Sequence, residues 1–282
     1  MRLLLVCLSC LSWLAVSLGF VIVKPQLVHN KHKLHRGWSN TDSSLSMSSS
    51  SEKKSVGLSD RLDAAFSLSK SKNSAAFVGF VTGGYPTYDD TVSILLSMQE
   101  GGCSVIELGV PYSDPQADGA TIQLTNAVAI KGGTNSVEQC LDLVEQARSK
   151  GLTVPVILMG YYNPFYQFGN ENSHAKQHDN SHANLNNLAR SAKAKGVDGF
   201  IVVDLPPEER DYANFVLACK DNELSYVPLV APTTTDDRLD KVLKTASSFV
   251  YCVSTTGVTG SRKQLPEDLE AFVERVRKKV RL

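Results

Sequence analysis

A chain of 282 residues with 42% apolar content can bury one large domain or two small ones. Basic and acidic residues number 29 each, so the net charge is zero and nothing points to nucleic acid or an anionic membrane surface as partner. Six cysteines lie scattered, three of the last four in apolar runs, which reads as buried free thiols in a reducing compartment rather than a disulfide framework or a metal site.

The chain begins with Met1-Arg2 and then "LLLVCLSCLSWLAVSLGF", a short basic stretch before an apolar run, with Ser17 and Gly19 as small residues ahead of Phe20. Cys7 and Cys10 form a CxxC inside this run, where a redox or metal role is the weaker reading. The run is also long enough to anchor in a membrane. The flanking composition favours cleavage: residues 24–36 are basic without an acid, and 39–51 are mostly serine. A signal peptide joined to a transit-like segment resembles the bipartite leaders of plastids bounded by extra membranes. The expectation is a structureless targeting segment over 1–51, a location in the plastid stroma, and a barrel domain over 52–282 with no membrane attachment in its mature form.

From Ser59 the pattern becomes regular. Apolar runs at 75–82, 103–109, 155–161, 198–204, 226–232 and 248–254 are rich in β-branched and aromatic residues, as strands buried on both faces are. Amphipathic stretches lie between them. "YDDTVSILLSMQEGG" sets Val92, Leu95, Leu96 and Met98 on one side and ends in glycine, "SVEQCLDLVEQARSKG" does the same with Val137, Leu141 and Val144, and "PPEERDYANFVLACKDN" opens with prolines and acids. Strand–helix alternation means a parallel sheet. Six units in a row, without a dinucleotide glycine fingerprint, predict an α/β fold of the TIM (β/α)8-barrel type with about six β/α units in this chain. Residues 169–187, with three histidines and six asparagines, interrupt the rhythm and read as a polar insertion loop. The i, i+4, i+8 spacing of His174, His178 and His182 is compatible with metal binding, but a solvated insertion fits better.

In such barrels the loops after the strands carry the chemistry. Polar residues gather there: Glu107, Asp114, Asp118, Tyr161, Asn163, Asp204, Thr255 and Thr256. Glu107 lies within the apolar run "CSVIELGV", and Asp118 comes later, in a Gly-, Pro- and Asp-rich loop able to fold back over the mouth. A desolvated carboxyl has a raised pKa and can shuttle a proton near neutral pH, and two acids in different surroundings can hold different protonation states. Spacing alone equally allows a Glu107 paired with a buried Lys or Arg and an Asp118 that caps the helix beginning "ATIQ".

"ELGVPYSDPQADGATIQ" resembles the signature of the tryptophan synthase alpha chain family. So do "FVTGGYPT", "LMGYYNP", "VDLPPEE", "LVAPTTTDDRL" and "VSTTGVTG", in family order over roughly residues 58–281. The resemblance implies a (β/α)8 barrel that splits indole-3-glycerol phosphate into indole and glyceraldehyde 3-phosphate. Glu107 matches the residue that moves a proton between the C3′ hydroxyl and indole C3, and Asp118 the one that holds the indole N–H. Phe80, Ile122, Met159 and Tyr161 match the indole pocket, as does Tyr251 on the sixth strand, although barrel core explains Ile122 and Met159 as well. Thr259, in the loop after that strand, matches a contact of the catalytic aspartate, and Gly260 matches part of a phosphate cradle. Asp114 matches a contact region for the beta chain, which carries pyridoxal phosphate (PLP). The alpha chain uses no cofactor and no metal.

The family pattern has two further β/α units after Gly260, with Gly-rich turns that hold the phosphate. This sequence ends at Leu282 after a helix whose acids come first and bases last. The expectation is a C-terminally incomplete alpha chain. The alternatives are a truncated, inactive structural or regulatory partner of a beta chain, and a phosphate-sugar barrel enzyme of other chemistry.

Overall fold

The computed structural model describes residues 20–23, 59–169, 181–253 and 268–280. In chain order the elements are β1 (Phe20–Val23), α1 (Asp60–Ser71), β2 (Val78–Thr82), α2 (Tyr88–Glu100), β3 (Val105–Gly109), α3 (Ala120–Lys131), α4 (Val137–Ser149), β4 (Val156–Gly160) and α5 (Tyr162–Tyr166). Then come α6 (Ser181–Ala194), β5 (Gly199–Val202), α7 (Arg210–Asp221), β6 (Ser225–Tyr226), β7 (Leu229–Val230), α8 (Asp236–Leu243), β8 (Val250–Val253) and α9 (Leu269–Val280). Strands β2 to β6 pair side by side in sequence order, all parallel, and β7 pairs parallel with β8. This is the predicted barrel architecture, with helices outside.

The fifth expected strand, within 226–232, is two short pieces. Pro228 lies between β6 and β7 and has no N–H to give a ladder. Its carbonyl still accepts from Tyr251 N at 2.9 Å, and Val227 N donates to Phe200 O at 2.9 Å. One bent stave therefore links β5 on one side to β8 on the other.

Side-chain parity separates two cores. Even-numbered positions of β3 and β4, with Phe200 and Val202, face outward onto α2, α4, α6 and α7. The inner face gathers Val105, Ile157, Met159, Ile201, Val227 and Tyr251, and α1 closes its N-terminal end with Leu62, Ala65 and Phe66. Phe66 lies 5.3 Å from Phe249 between ring centres. A third cluster packs α8 and α9 on β7 and β8.

The caps agree with the sequence. Thr87 accepts from Asp90 N to start α2, and Ser136 with Gln139 forms a capping box on α4. Helix α7 starts at Arg210, directly after "PPEE" at 206–209, which forms a turn rather than the helix's first residues.

Two expectations need correction. Phe20–Val23, assigned to a structureless leader, pairs antiparallel with β8 through four residue pairs, because the side of β8 away from β7 offers open backbone groups. Residues 181–187, assigned to a polar loop, form the first half of α6. Leu185, Leu188, Ala189 and Ala192 give that helix a buried side despite its polar start. His174 and His178 lie outside the described residues, and no metal-holding group of three ligands occurs among the described ones.

Candidate active site

Glu107 is the central residue of β3 and shares the inner face with Val105 and Gly109. It is 2% exposed. Across the ladders it lies opposite Phe80 on β2 and Ile157 on β4. Among the described residues no Lys or Arg forms an ion pair with it. Burial pushes its carboxyl from an ordinary 4.5 up to about 8.

Asp118 comes from the loop after β3. The helix it precedes is capped by Gly119, without a side-chain cap, so Asp118 is not spent on α3. Its side chain accepts instead from the hydroxyl of Tyr161, the first residue after β4, at 3.3 Å. Burial raises Asp118 to about 6, and the Tyr161 hydrogen bond works against that rise. The same hydroxyl accepts from Ala117 N at 2.9 Å. The Tyr161 ring stacks on Tyr112 with centres 4.9 Å apart, so the loop is gripped at both ends. Asn126 on α3 completes the hold, its Oδ1 accepting from Tyr112 N at 3.0 Å.

Tyr251, fully buried on β8, has its phenol pushed well up by burial, then by the charges of Glu107 and of Asp118. Glu107 on the inner face of β3, and Asp118 held by Tyr161 just beyond the end of β4, both lie toward the C-terminal end of the strands. Between about pH 6 and 8 the two differ in state, Glu107 protonated and Asp118 ionised. A site of this kind can give a proton at one atom while stabilising positive charge at another.

The remaining expected residues divide. Phe80 is half-buried on β2 beside Glu107. Met159 is half-buried and packs on the inner cluster, while Ile122 is buried on α3. Asp114 is exposed, and its Oδ2 accepts from Gln116 Nε2 at 2.9 Å. Thr255, Thr256, Thr259 and Gly260 lie outside the described residues. Sequence reasoning missed Tyr112, for which the aromatic residue within "PYSDP" was the available signal.

Fold and site together define a parallel β/α-barrel protein with a buried carboxyl, Glu107, and a half-buried one, Asp118, toward the C-terminal end of its strands. The family model described as tryptophan synthase alpha chain matches residues 66–282. A tryptophan synthase of Saccharomyces cerevisiae is 47% identical over 225 residues, covering 78% of this chain and 29% of that protein. The chain thus spans under a third of that relative's length. A tryptophan synthase alpha chain of Roseiflexus sp. is 39% identical over 222 residues, covering 79% of this chain and 78% of the relative. Among solved structures, a Mycobacterium tuberculosis tryptophan synthase chain aligns with a TM-score of 0.64 and 34% identity over 77% of this chain and 76% of its own. The chain belongs to the tryptophan synthase alpha chain family.

Proposed function

We propose that the protein is the alpha-chain lyase of tryptophan biosynthesis, cleaving indole-3-glycerol phosphate to indole and glyceraldehyde 3-phosphate. The observation that carries this reading is Glu107 buried on the inner face of β3, with Asp118 in the following loop held by Tyr161, in a chain of this family. Glu107 gives its proton to indole C3, and positive charge develops on the ring nitrogen. The Asp118 carboxylate accepts the ring N–H and stabilises that charge. The C3–C3′ bond then breaks, its electron pair returning to the ring. The C3′ hydroxyl gives its proton to the Glu107 carboxylate as C3′ becomes the aldehyde carbon. Glu107 ends as it began, so no cofactor and no net proton are needed.

In this reading the partner is a tryptophan synthase beta chain that carries PLP, with Asp114 on the side it meets. Thr259 would be a contact of Asp118 and Gly260 a part of the phosphate site. The basic, serine-rich composition of the first 51 residues supports delivery to a plastid stroma, and a reporter fusion retained in the secretory pathway would count against it. No helix among the described residues is long and apolar enough to cross a membrane.

The test is indole release from indole-3-glycerol phosphate by the purified full chain. Glu107→Gln is expected to lose roughly 10²–10⁴-fold in turnover with an unchanged circular dichroism spectrum. A wild-type chain that releases no indole, or a Gln variant as fast as wild type, overturns the proposal.

A further inference from the structure

Gly109 ends β3 two residues beyond Glu107 and on the same inner face. Its φ is outside the left-handed region, unlike Gly84 or Gly102, so the backbone does not demand glycine there. What demands it is a ring. A Cβ on residue 109 would lie 2.6 Å from Phe80 Cζ and 2.9 Å from Phe80 Cε2, well inside contact distance, while the next neighbour, Thr82 Cα, is at an ordinary 3.6 Å. Phe80 pairs with Glu107 in the ladder, and Thr82 with Gly109. The Phe80 ring therefore leans from beside Glu107 toward the mouth and occupies the space that the missing side chain leaves. It remains half-buried, with part of its surface open.

We propose that Gly109 is a positioning residue that acts through Phe80: by lacking a side chain it seats the Phe80 ring as a flat wall beside Glu107, against which the aromatic half of the substrate packs. The identity of that half as indole rests on the lyase reading above. The chemistry asked of the wall is that of any planar apolar ring, which gains from offset or edge contact with another aromatic group. Any Cβ at position 109 displaces the wall. The fold survives this, because the obstructing atoms are the tip of a side chain that can swing away rather than backbone.

The experiment is equilibrium binding of indole by calorimetry to the full-length wild type, Phe80→Ala, Gly109→Ala and the double variant, with thermal unfolding of each and, where turnover is present, kcat and KM. Gly109→Ala and Phe80→Ala are each expected to weaken indole binding by about three- to tenfold, the worth of one aromatic contact. The double variant is expected to bind no worse than Phe80→Ala alone, since the glycine matters only through the ring. Gly109→Ala that binds indole as wild type does, losses that multiply in the double variant, or a wild-type chain that takes up no indole would each overturn the inference. Coupled losses in a chain that releases no indole from indole-3-glycerol phosphate would sink the lyase reading and leave this one standing. Indole release with multiplying losses would do the reverse.

Discussion

The hydroxyl of Tyr161 accepts from Ala117 N at 2.9 Å and donates to Asp118 Oδ2 at 3.3 Å, so a residue leaving β4 fixes the loop leaving β3. Sequence resemblance gave Tyr161 a place in an apolar pocket, but its polar end holds an acid. Tyr161→Phe keeps the ring and its stack on Tyr112 and removes both hydrogen bonds. A hydrogen bond to a charged group is worth about 1.5–3 kcal/mol, so turnover is expected to fall roughly tenfold or more. The lost bond also favoured ionised Asp118. The acidic limb of the pH–rate profile is therefore expected to move above the wild-type value near 6. A limb that stays in place would show that Tyr161 acts by packing alone.

The two acids also set the shape of the wild-type profile. Activity in the proposed reaction needs Asp118 ionised and Glu107 protonated, so kcat/KM is expected to be bell-shaped, with limbs near pH 6 and 8. Asp118→Asn keeps an oxygen for the indole N–H but not the charge. It is expected to cost about 10²–10³-fold in kcat, as loss of an aimed transition-state contact does, and to abolish the acidic limb. Retention of that limb in the Asn variant would assign it to another group.

Glu107 should also leave a mark on stability that does not depend on activity. Its folded pKa, about 8, lies above the ordinary 4.5. A group raised in this way contributes stability that is fully present below the ordinary value and lost as pH climbs through the folded one. At about 1.4 kcal/mol for each tenfold change in proton affinity, burial of Glu107 costs on the order of 5 kcal/mol at pH 9 relative to pH 4. Glu107→Gln has no proton to lose. Its Tm is expected to gain on that of wild type between about pH 5 and 8 and to level off above, other titrating groups being common to both. Parallel Tm curves would mean that Glu107 is solvated in solution.

How much of this was legible before the structure depends on the range of the interaction. The staves were readable because each is a local run of β-branched and aromatic residues, and α4 because Val137, Leu141 and Val144 recur on one side before a closing glycine; its capping box of Ser136 and Gln139 went unread. The bend at Pro228 needed only the rule that proline has no N–H, yet the run "YVPLVAP" was read through it as one strand. Helix α6 stayed hidden because its first turns are Ser, His and Asn, and its burial rests on Leu185, Leu188, Ala189 and Ala192, which sit on one side further along. The acids Glu107 and Asp118 were visible as residue types in the right surroundings. That they could differ in protonation was also readable; what was not is the hold on Asp118, since it depends on Tyr161 arriving from another stave. Gly109 shows the limit most clearly. Its spacing from Glu107 is written in the sequence, but the ring that fills its missing side chain comes from Phe80, 29 positions earlier.

The opposite end of the barrel carries its own test. Asp198, 1% exposed just before β5, accepts from Ser59 Oγ at 2.5 Å, Arg61 Nη1 at 2.8 Å, Arg148 Nη2 at 2.8 Å and Val156 N at 2.9 Å. One carboxylate thus ties the start of α1, the end of α4 and the start of β4 together beneath the inner core. Arg61 is well exposed and contributes little on its own, whereas the Arg148 side chain is only 14% exposed and would be left without its acid. Asp198→Ala is expected to destabilise the fold by about 3–5 kcal/mol, the usual cost of stripping one partner from a buried ion pair. Arg61→Ala is expected to cost under about 1 kcal/mol. Because α1 closes the N-terminal end with Leu62 and Phe66, loosening it should admit water to the interior below Glu107. Denaturant unfolding measures the first effect. Hydrogen exchange of the α1 amides checks the second, with faster exchange in Asp198→Ala than in Arg61→Ala. Equal protection of α1 in both would show that the helix is held by its apolar face alone.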